Sequence, residues 1–186
     1  IIDMALIPEK PIRLPEVRYP LSQWSLLVDS TINSKDSLQF VYDLLTEYPG
    51  MVLELSSHTD ARGTDNSNQV LSENRAKACY KYLVEERGVD PRRIVPVGKG
   101  EREPKTVYKK GESYQVGEPL DMTGYEKVVL TEAYINQFKK TDKRKFEMLH
   151  QLNRRTEGKI ITMDFDPATS PAANPDYKVF KPVPKK

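Results

Sequence analysis

Asp60 and Arg75 are the side chains in this sequence best suited to hold a small charged ligand. Arg75 lies four residues after Leu71 and four before Cys79, on the stripe of a predicted helix that should be apolar and buried. A guanidinium stays protonated in proteins, so a buried one needs a carboxylate or a phosphate beside it. The pattern therefore predicts an anion next to Arg75, supplied by the protein or by a ligand.

The elements around these two residues can bring them to one cleft. The apolar run at residues 51–55 predicts a buried strand, and Asp60 follows the expected end of that strand. Gly63 and Thr64 then mark a loop that leads into the helix carrying Arg75. A salt bridge between Asp60 and Arg75 that only closes the fold would fit the same pattern, and the sequence leaves both interpretations open.

A series of motifs in this chain resembles the OmpA-like family of peptidoglycan-binding domains over roughly residues 12–164. The matching motifs are HTD at 58–60, Gly63, Asn68, LS at 71–72, RA at 75–76, YL at 82–83, GV at 88–89, RI at 93–94, GKGE at 98–101 and NRRTE at 153–157. The resemblance implies non-covalent capture of the diaminopimelate residue in a peptidoglycan stem peptide. By the same resemblance, Asp60 faces the ammonium of that residue and Arg75 faces its carboxylate.

The free end of diaminopimelate is a zwitterion, which one fixed anion and one fixed fork of hydrogen-bond donors would select. Arginine suits the second task because it pairs with a carboxylate through two parallel hydrogen bonds. The remaining predicted ligand-binding residues lie beside the pair in sequence, on the same helix face or in segments that the family places at the cleft. They are Thr59, Asn68, Leu71, Arg154, Ser22 and Leu21.

Three of these residues have a second interpretation. Asn68 would also serve as a capping residue, and Leu71 as part of the core. Arg154 is predicted to face the cleft, where it either braces Asp60 or reaches the ligand. The sequence does not fix whether Arg154 or Arg155 points inward.

One wall of the predicted pocket departs from the family pattern. After its first strand the family often carries an aromatic residue and an aspartate, whereas this chain has Leu21 and Ser22. These two residues still offer an apolar contact and a hydroxyl, but a carboxylate that would help to hold the ammonium is missing. We therefore expect binding of the ammonium to depend more heavily on Asp60.

Composition and motifs argue against several other classes of function. The 29 basic and 27 acidic residues leave a net charge of +2, which argues against a dedicated nucleic-acid binder. No run approaches the roughly 18 apolar residues of a transmembrane helix. The single Cys79 suits a buried position, and neither a nucleophile motif nor a metal-ligand cluster accompanies His58 and His150. We expect no enzymatic activity, no cofactor and no metal, and we expect His58 to orient its loop by a hydrogen bond.

The order of predicted strands and helices indicates an α/β fold. Strands are predicted at 12–19, 51–57, 93–97 and 158–163, and helices at 34–48 and 65–87. Asn33 or Ser34 would cap the first helix. This alternation predicts an OmpA-like β-α-β-α-β-(insert)-β mixed sheet with helices packed on it, and parallel pairing among the early strands.

The domain is predicted to span residues 1–164, with an insertion at about 102–149 and a Pro-rich tail at 165–186. Within the insertion, residues 105–123 favour an extended loop or small hairpin, and residues 130–138 favour a short helix. The tail has no periodic pattern, which predicts either a surface segment or a disordered one.

The insertion is similar to those of OmpA-like domains in Bacteroidota, and within them to the C-terminal domain of PorE-type lipoproteins associated with type IX secretion. The chain begins at Ile1 with neither a secretory signal nor a lipid-accepting cysteine, so we expect a fragment of a longer protein. The resemblance implies a periplasmic location, associated with the outer membrane through a missing upstream part. Its expected partners are the peptidoglycan stem peptide and other envelope proteins. The alternative is a protein-interaction module that uses the insertion and the tail, with Asp60 and Arg75 as a structural ion pair.

Overall fold

A four-stranded mixed sheet carries the long helices of this protein. The computed structural model describes residues 12–14, 17–20, 22–30 and 33–184. The strands are β1 (Ile12–Arg13), β2 (Val52–His58), β3 (Ile94–Gly100), β4 (Thr106–Lys110), β5 (Ser113–Gln115), β6 (Glu126–Val129) and β7 (Arg155–Thr162). The helices are α1 (Ser34–Glu47), α2 (Asp65–Lys81), α3 (Glu132–Asn136) and α4 (Lys143–Asn153), and none within the described residues is long and apolar enough to cross a bilayer. This order confirms the predicted α/β fold class.

The main sheet has the strand order β1-β7-β2-β3. In it, β2 lies between β3, to which it is parallel, and β7, to which it is antiparallel. The short β1 pairs with β7 at the edge. The expected parallel pairing of early strands is therefore found between β2 and β3. The predicted first strand is shorter than expected, and Pro15 within it lies outside the described residues.

Local side-chain chemistry fixes the start of both long helices. Asn33, one of the two residues predicted to cap α1, is its cap and accepts hydrogen bonds from the backbone N–H groups two and three residues later. Thr64 caps α2 in a capping box, in which its hydroxyl accepts from the Ser67 N–H and its own N–H donates to the Ser67 hydroxyl. A π-helical turn at Tyr82–Glu86 extends α2, and Gly88 follows with a φ of 75°, so the helical segment ends where predicted.

Apolar side chains from α1, α2 and the main sheet form the larger of two hydrophobic clusters. Its most deeply buried members include Leu38, Leu45, Leu53, Leu55, Cys79, Leu83 and Ile94. Cys79 thus has the buried position predicted from its place on the helix stripe. α2 approaches β3 closely at Gly98, where a Cβ atom would lie 2.7 Å from the Cα of Glu73. This glycine lets the helix that carries Arg75 lie directly on the sheet.

The segment predicted to be an insertion, at about 102–149, contributes the buried residues of a second hydrophobic cluster. β4 pairs with both β5 and β6 in a second, antiparallel sheet of three strands. The buried residues of this cluster include Val107, Leu130, Ile135, Phe146 and Leu149. The predicted hairpin at 105–123 is present as β4 and β5, and the predicted short helix at 130–138 is present as α3.

The Pro-rich tail runs across α2. Asn74 donates a hydrogen bond to the Lys181 carbonyl and accepts one from the Lys181 N–H. Lys77 donates to the tail carbonyl two residues earlier, at 2.9 Å. The Phe180 ring stacks on Trp24 with 6.0 Å between ring centres. As far as residue 184, the tail is therefore a surface segment held to the helix.

Candidate ligand-binding cleft

Asp60 lies just beyond the C-terminal end of β2, a central strand of the main sheet. The parallel pairing of β2 and β3 shifts in register near the end of β2, and the Thr59 N–H then donates to the Gly100 carbonyl at 2.8 Å. Asp60 follows, and its backbone carbonyl accepts a hydrogen bond from the Asn68 amide at 3.1 Å. The backbone is thus fixed at Asp60 before it enters the loop that leads to α2.

Two arginines hold the Asp60 carboxylate. Its Oδ1 accepts from the Arg62 backbone N–H at 3.1 Å, and its Oδ2 accepts from Arg62 Nη2 at 2.9 Å and Nε at 3.2 Å. Arg154 Nη1 donates to the same Oδ2. Burial alone would raise the pKa of Asp60, but the hydrogen bonds and charges of the two arginines outweigh it and lower that pKa. Asp60 is therefore ionised at neutral pH.

Arg75 is buried on α2, where no carboxylate of the described residues pairs with it. Only 4% of the residue is exposed, its Nε donates to the Gln23 carbonyl at 3.1 Å, and its guanidinium carbon lies 4.8 Å from the centre of the Tyr19 ring. Among the described residues, no carboxylate oxygen lies within 4.0 Å of its side-chain nitrogens. Burial lowers the pKa of Arg75, yet arginine remains charged because its ordinary pKa is so high.

The salt bridge that the sequence allowed between Asp60 and Arg75 is not formed, so that interpretation is wrong. Arg62 lies in the same loop as Asp60, only two residues away, and Arg154 reaches the carboxylate from the end of α4. These two arginines take up the carboxylate, while Arg75 uses its Nε on a backbone carbonyl. The structural ion pair assumed in the protein-interaction alternative is therefore absent.

Arg75 lines a cleft with a volume of about 380 Å³. The other described residues that line it are Val17, Arg18, Tyr19, Arg62, Glu147, Gln151 and Arg154. Four of these eight residues are arginines, and Glu147 is the one acidic residue among them. A concave surface with this excess of positive charge attracts anions.

Of the predicted ligand-binding residues, Arg75 and Arg154 line the cleft. Arg154 also braces Asp60, which is one of the two roles predicted for it. Arg155 does not line this cleft, and its guanidinium pairs with Glu157 at 2.7 Å beside a smaller cavity of about 190 Å³. That these residues bind a ligand remains a prediction.

The other described residues predicted for the site, Asp60, Thr59, Asn68, Leu71 and Ser22, do not line the cleft. Asn68 is buried because its amide donates to the Asp60 carbonyl and to the Glu101 carboxylate. Leu71 is only partly buried and belongs to neither hydrophobic cluster of the described residues. Ser22 is exposed in a turn, with a φ of 55°, and Leu21 lies outside the described residues.

His58 and His150 are both buried, and their ring nitrogens have no hydrogen-bonding partner within the described part of the chain. The Glu157 carboxylate lies 3.7 Å from Nε2 of His58, too far for a hydrogen bond. Burial, with a further contribution from Arg155, lowers the pKa of His58 to about 4, so the ring is neutral at pH 7. The predicted hydrogen-bonding role of His58 is therefore wrong.

Arg62 and Glu147 are cleft residues that the sequence did not reveal. Arg62 Nη1 donates to the two oxygens of Glu147 at 3.2 Å and 3.0 Å, so this arginine bridges the loop after β2 to α4. A usable signal existed for Arg62, because aspartates in turns commonly bond to groups two residues further on. Glu147 had no such signal, since its position depends on how the insertion packs.

Part of this chain is similar to known proteins. Residues 29–116 match the OmpA family. The chain is 42% identical to outer membrane porin F of Pseudomonas aeruginosa over 72 residues, which are 39% of this chain and 21% of that protein. It is 44% identical to the peptidoglycan-associated lipoprotein of the same organism over 55 residues, which are 30% of this chain and 32% of that protein. The matched segments therefore span between a fifth and a third of the length of these curated relatives.

Among solved structures, the peptidoglycan-associated lipoprotein of Burkholderia pseudomallei aligns with a TM-score of 0.45 at 18% identity, over 79% of this chain and 88% of that one. The segment that matches the OmpA family contains both Asp60 and Arg75. By the family match and the two Pseudomonas relatives, part of this chain is similar to the OmpA family.

Proposed function

We propose that this protein binds peptidoglycan without covalent chemistry, through the diaminopimelate residue of the stem peptide. In this way it anchors an outer-membrane or periplasmic assembly to the cell wall. The observation that carries the proposal is Arg75, a buried guanidinium that lines the cleft and has no carboxylate partner among the described residues. The distal carboxylate of diaminopimelate would supply the missing anion through two parallel hydrogen bonds.

Two further observations support this proposal. One relative of the chain carries peptidoglycan association in its name, and the segment that matches the OmpA family contains Arg75. A stem peptide carries several carboxylates, which suits a cleft lined by four arginines. We propose recognition of this ligand rather than its chemical conversion.

Cosedimentation with purified sacculi tests the proposal. Arg75→Lys keeps the positive charge and loses the planar fork of donors, so we expect the wild type to sediment with sacculi and this variant to lose most of that binding. Arg102→Lys is the matched control, because Arg102 is an exposed arginine that pairs with Asp65 at 2.7 Å and does not line the cleft. A thermal melt of each variant shows whether it is folded. A folded Arg75→Lys variant that binds sacculi as well as the wild type does would remove Arg75 from the site.

Titration with soluble stem tripeptides tests the assignment of diaminopimelate. A tripeptide with lysine in its place keeps the side-chain ammonium and lacks the distal carboxylate. We expect it to bind about tenfold more weakly or worse, because a charge-assisted hydrogen bond to Arg75 is lost. Equal affinity for the two tripeptides would contradict the diaminopimelate assignment, whatever the outcome with sacculi.

A second candidate function is contact with other envelope proteins through the insertion, in the manner implied by its resemblance to lipoproteins of type IX secretion in Bacteroidota. The observation that favours it is exposed apolar surface, since Leu120 is fully exposed and Val129 is 44% exposed. A photo-crosslinking residue at position 120 would capture such a partner in intact envelopes. The same residue at position 161, where Ile161 is 47% exposed on β7, is the control, and equal yields of crosslinked protein at both positions would argue against this function.

A further inference from the structure

We infer that Glu147, rather than Asp60, receives the side-chain ammonium of the diaminopimelate residue held by Arg75. The inference rests on the proposed function and assigns a specificity-determining residue within the same cleft. It follows from how many hydrogen bonds each carboxylate already accepts, from which of the two lines the cleft, and from the charge of the surrounding side chains.

The Asp60 carboxylate has little capacity left for a ligand. A carboxylate has about four lone-pair positions, and the two oxygens of Asp60 already accept from Arg62 N, Nε and Nη2 and from Arg154 Nη1. Its side chain is 11% exposed, and Asp60 is not among the residues that line the cleft. Three of these four bonds fall on Oδ2, and Oδ1 accepts only the Arg62 backbone N–H. Because Asp60 is nearly buried and does not line the cleft, an ammonium in the cleft has little access to that remaining position.

Glu147 has the capacity that Asp60 lacks. Its side chain is 47% exposed and lines the cleft. Among the described residues its one donor is Arg62 Nη1, which contacts both carboxylate oxygens. Lone-pair positions therefore remain on each oxygen of Glu147 for an incoming ammonium.

The charge of the cleft also favours Glu147 as the partner of the ammonium. The four arginines that line the cleft repel an ammonium, and Glu147 is the one acidic residue among the described lining residues. A zwitterion whose carboxylate pairs with Arg75 would therefore be oriented with its ammonium towards Glu147. Asp60 then acts as a positioning residue, because it fixes Arg62 and Arg154 on that side of the cleft.

Glu147 belongs to α4, so the insertion contributes directly to the site. The OmpA-like pattern often supplies an aspartate after the first strand, where this chain has Ser22. Here α4 brings a carboxylate to the cleft from a different part of the chain. Glu147 would thus replace the aspartate that the OmpA-like pattern often carries at the position of Ser22.

The test combines one change in the protein with one change in the ligand. Wild type and Glu147→Gln are titrated with the diaminopimelate tripeptide, with its side-chain amine either free or acetylated. We expect the wild type to bind the acetylated tripeptide about tenfold more weakly than the tripeptide with a free amine. We expect Glu147→Gln to weaken binding of the free-amine tripeptide by a similar factor. Acetylation should then cause no further loss in the variant. Glu112→Gln is the matched control, because Glu112 is an exposed glutamate of the insertion that pairs with Lys145 at 2.7 Å and does not line the cleft.

The possible outcomes separate this inference from the proposed function. A wild type that binds neither tripeptide nor sacculi would overturn both. A wild type that binds the free amine, together with a Glu147→Gln variant that still loses about tenfold on acetylation, would overturn the inference alone. In that case a folded Asp60→Asn variant that binds both tripeptides equally would assign the ammonium to Asp60.

Discussion

Acidification from about pH 7.5 to about pH 5 should lower the free energy of unfolding by about 2 kcal/mol through His58 alone. In the folded protein, burial and the nearby Arg155 lower the pKa of His58 to about 4, against 6.5 in an unfolded chain. Between these two values the unfolded state binds a proton that the folded state does not. The free energy of unfolding therefore rises with pH across this window and falls as the solution is acidified. The full loss, reached below about pH 4, is about 3 kcal/mol.

Urea unfolding followed by circular dichroism at several pH values measures this effect. His58→Gln removes the titrating ring, so we expect this variant to show about 2 kcal/mol less loss of stability over the same pH range. His150→Gln is the control, because burial also lowers the pKa of His150 and this substitution should remove a separate contribution. The charges and hydrogen bonds of Arg155 and Lys105 overcome the burial of Glu157 and lower its pKa to about 2. Glu157 contributes little in this range, because this value and its ordinary pKa of 4.5 both lie below pH 5.

A His58→Gln variant whose stability falls on acidification as steeply as that of the wild type would contradict the assignment of this effect to His58. A titration of the His58 ring by NMR provides an independent check. A ring that titrates near the ordinary histidine value in the folded protein would contradict the lowered pKa of His58.

Three further predictions concern single residues. Gly98→Ala should destabilise the protein by about 1–3 kcal/mol in urea unfolding, because its Cβ would press on the backbone of Glu73, and an unchanged midpoint would contradict the close approach of α2 and β3. Asn33→Ala should lower the free energy of unfolding by about 1 kcal/mol through loss of the α1 cap, whereas Asn33→Ser should retain most of the stability that the cap provides. Equal losses of stability in the two variants would argue against capping. Burial raises the pKa of Cys79 to about 11, so an aromatic disulfide reagent at about pH 8 should label the thiol only after unfolding, and rapid labelling of the folded protein would contradict its burial.

The parts of the fold that the sequence predicted are those encoded by neighbouring residues. α1 followed from the cap at Asn33 and its apolar spacing, and the helical segment through Glu86 ended at Gly88 as expected. The length of the first strand did not follow, because only its pairing with β7 decides where it ends. The separate hydrophobic cluster of the insertion was also not predicted, since its members come from segments far apart in the chain.

In the candidate site, too, the sequence predicted only what neighbouring residues encode. Arg75 stood out because a charge on an apolar helix stripe is visible within a single helix, and the structure places it in the cleft. The salt bridge with Asp60 that the sequence left open is not formed, because which arginine pairs with Asp60 depends on the positions of several arginines in space. Sequence spacing does not show that Arg154 reaches Asp60 while Arg155 pairs with Glu157.

The hold of the tail on α2 has a mechanical consequence. Asn74 is the residue immediately before Arg75, and its side-chain amide makes two hydrogen bonds to the backbone of Lys181. Tension on the C-terminal segment would therefore be transmitted to the turn of helix that presents Arg75 to the cleft. Under the proposed function, a pull from that end would act directly on the residue that binds the ligand carboxylate.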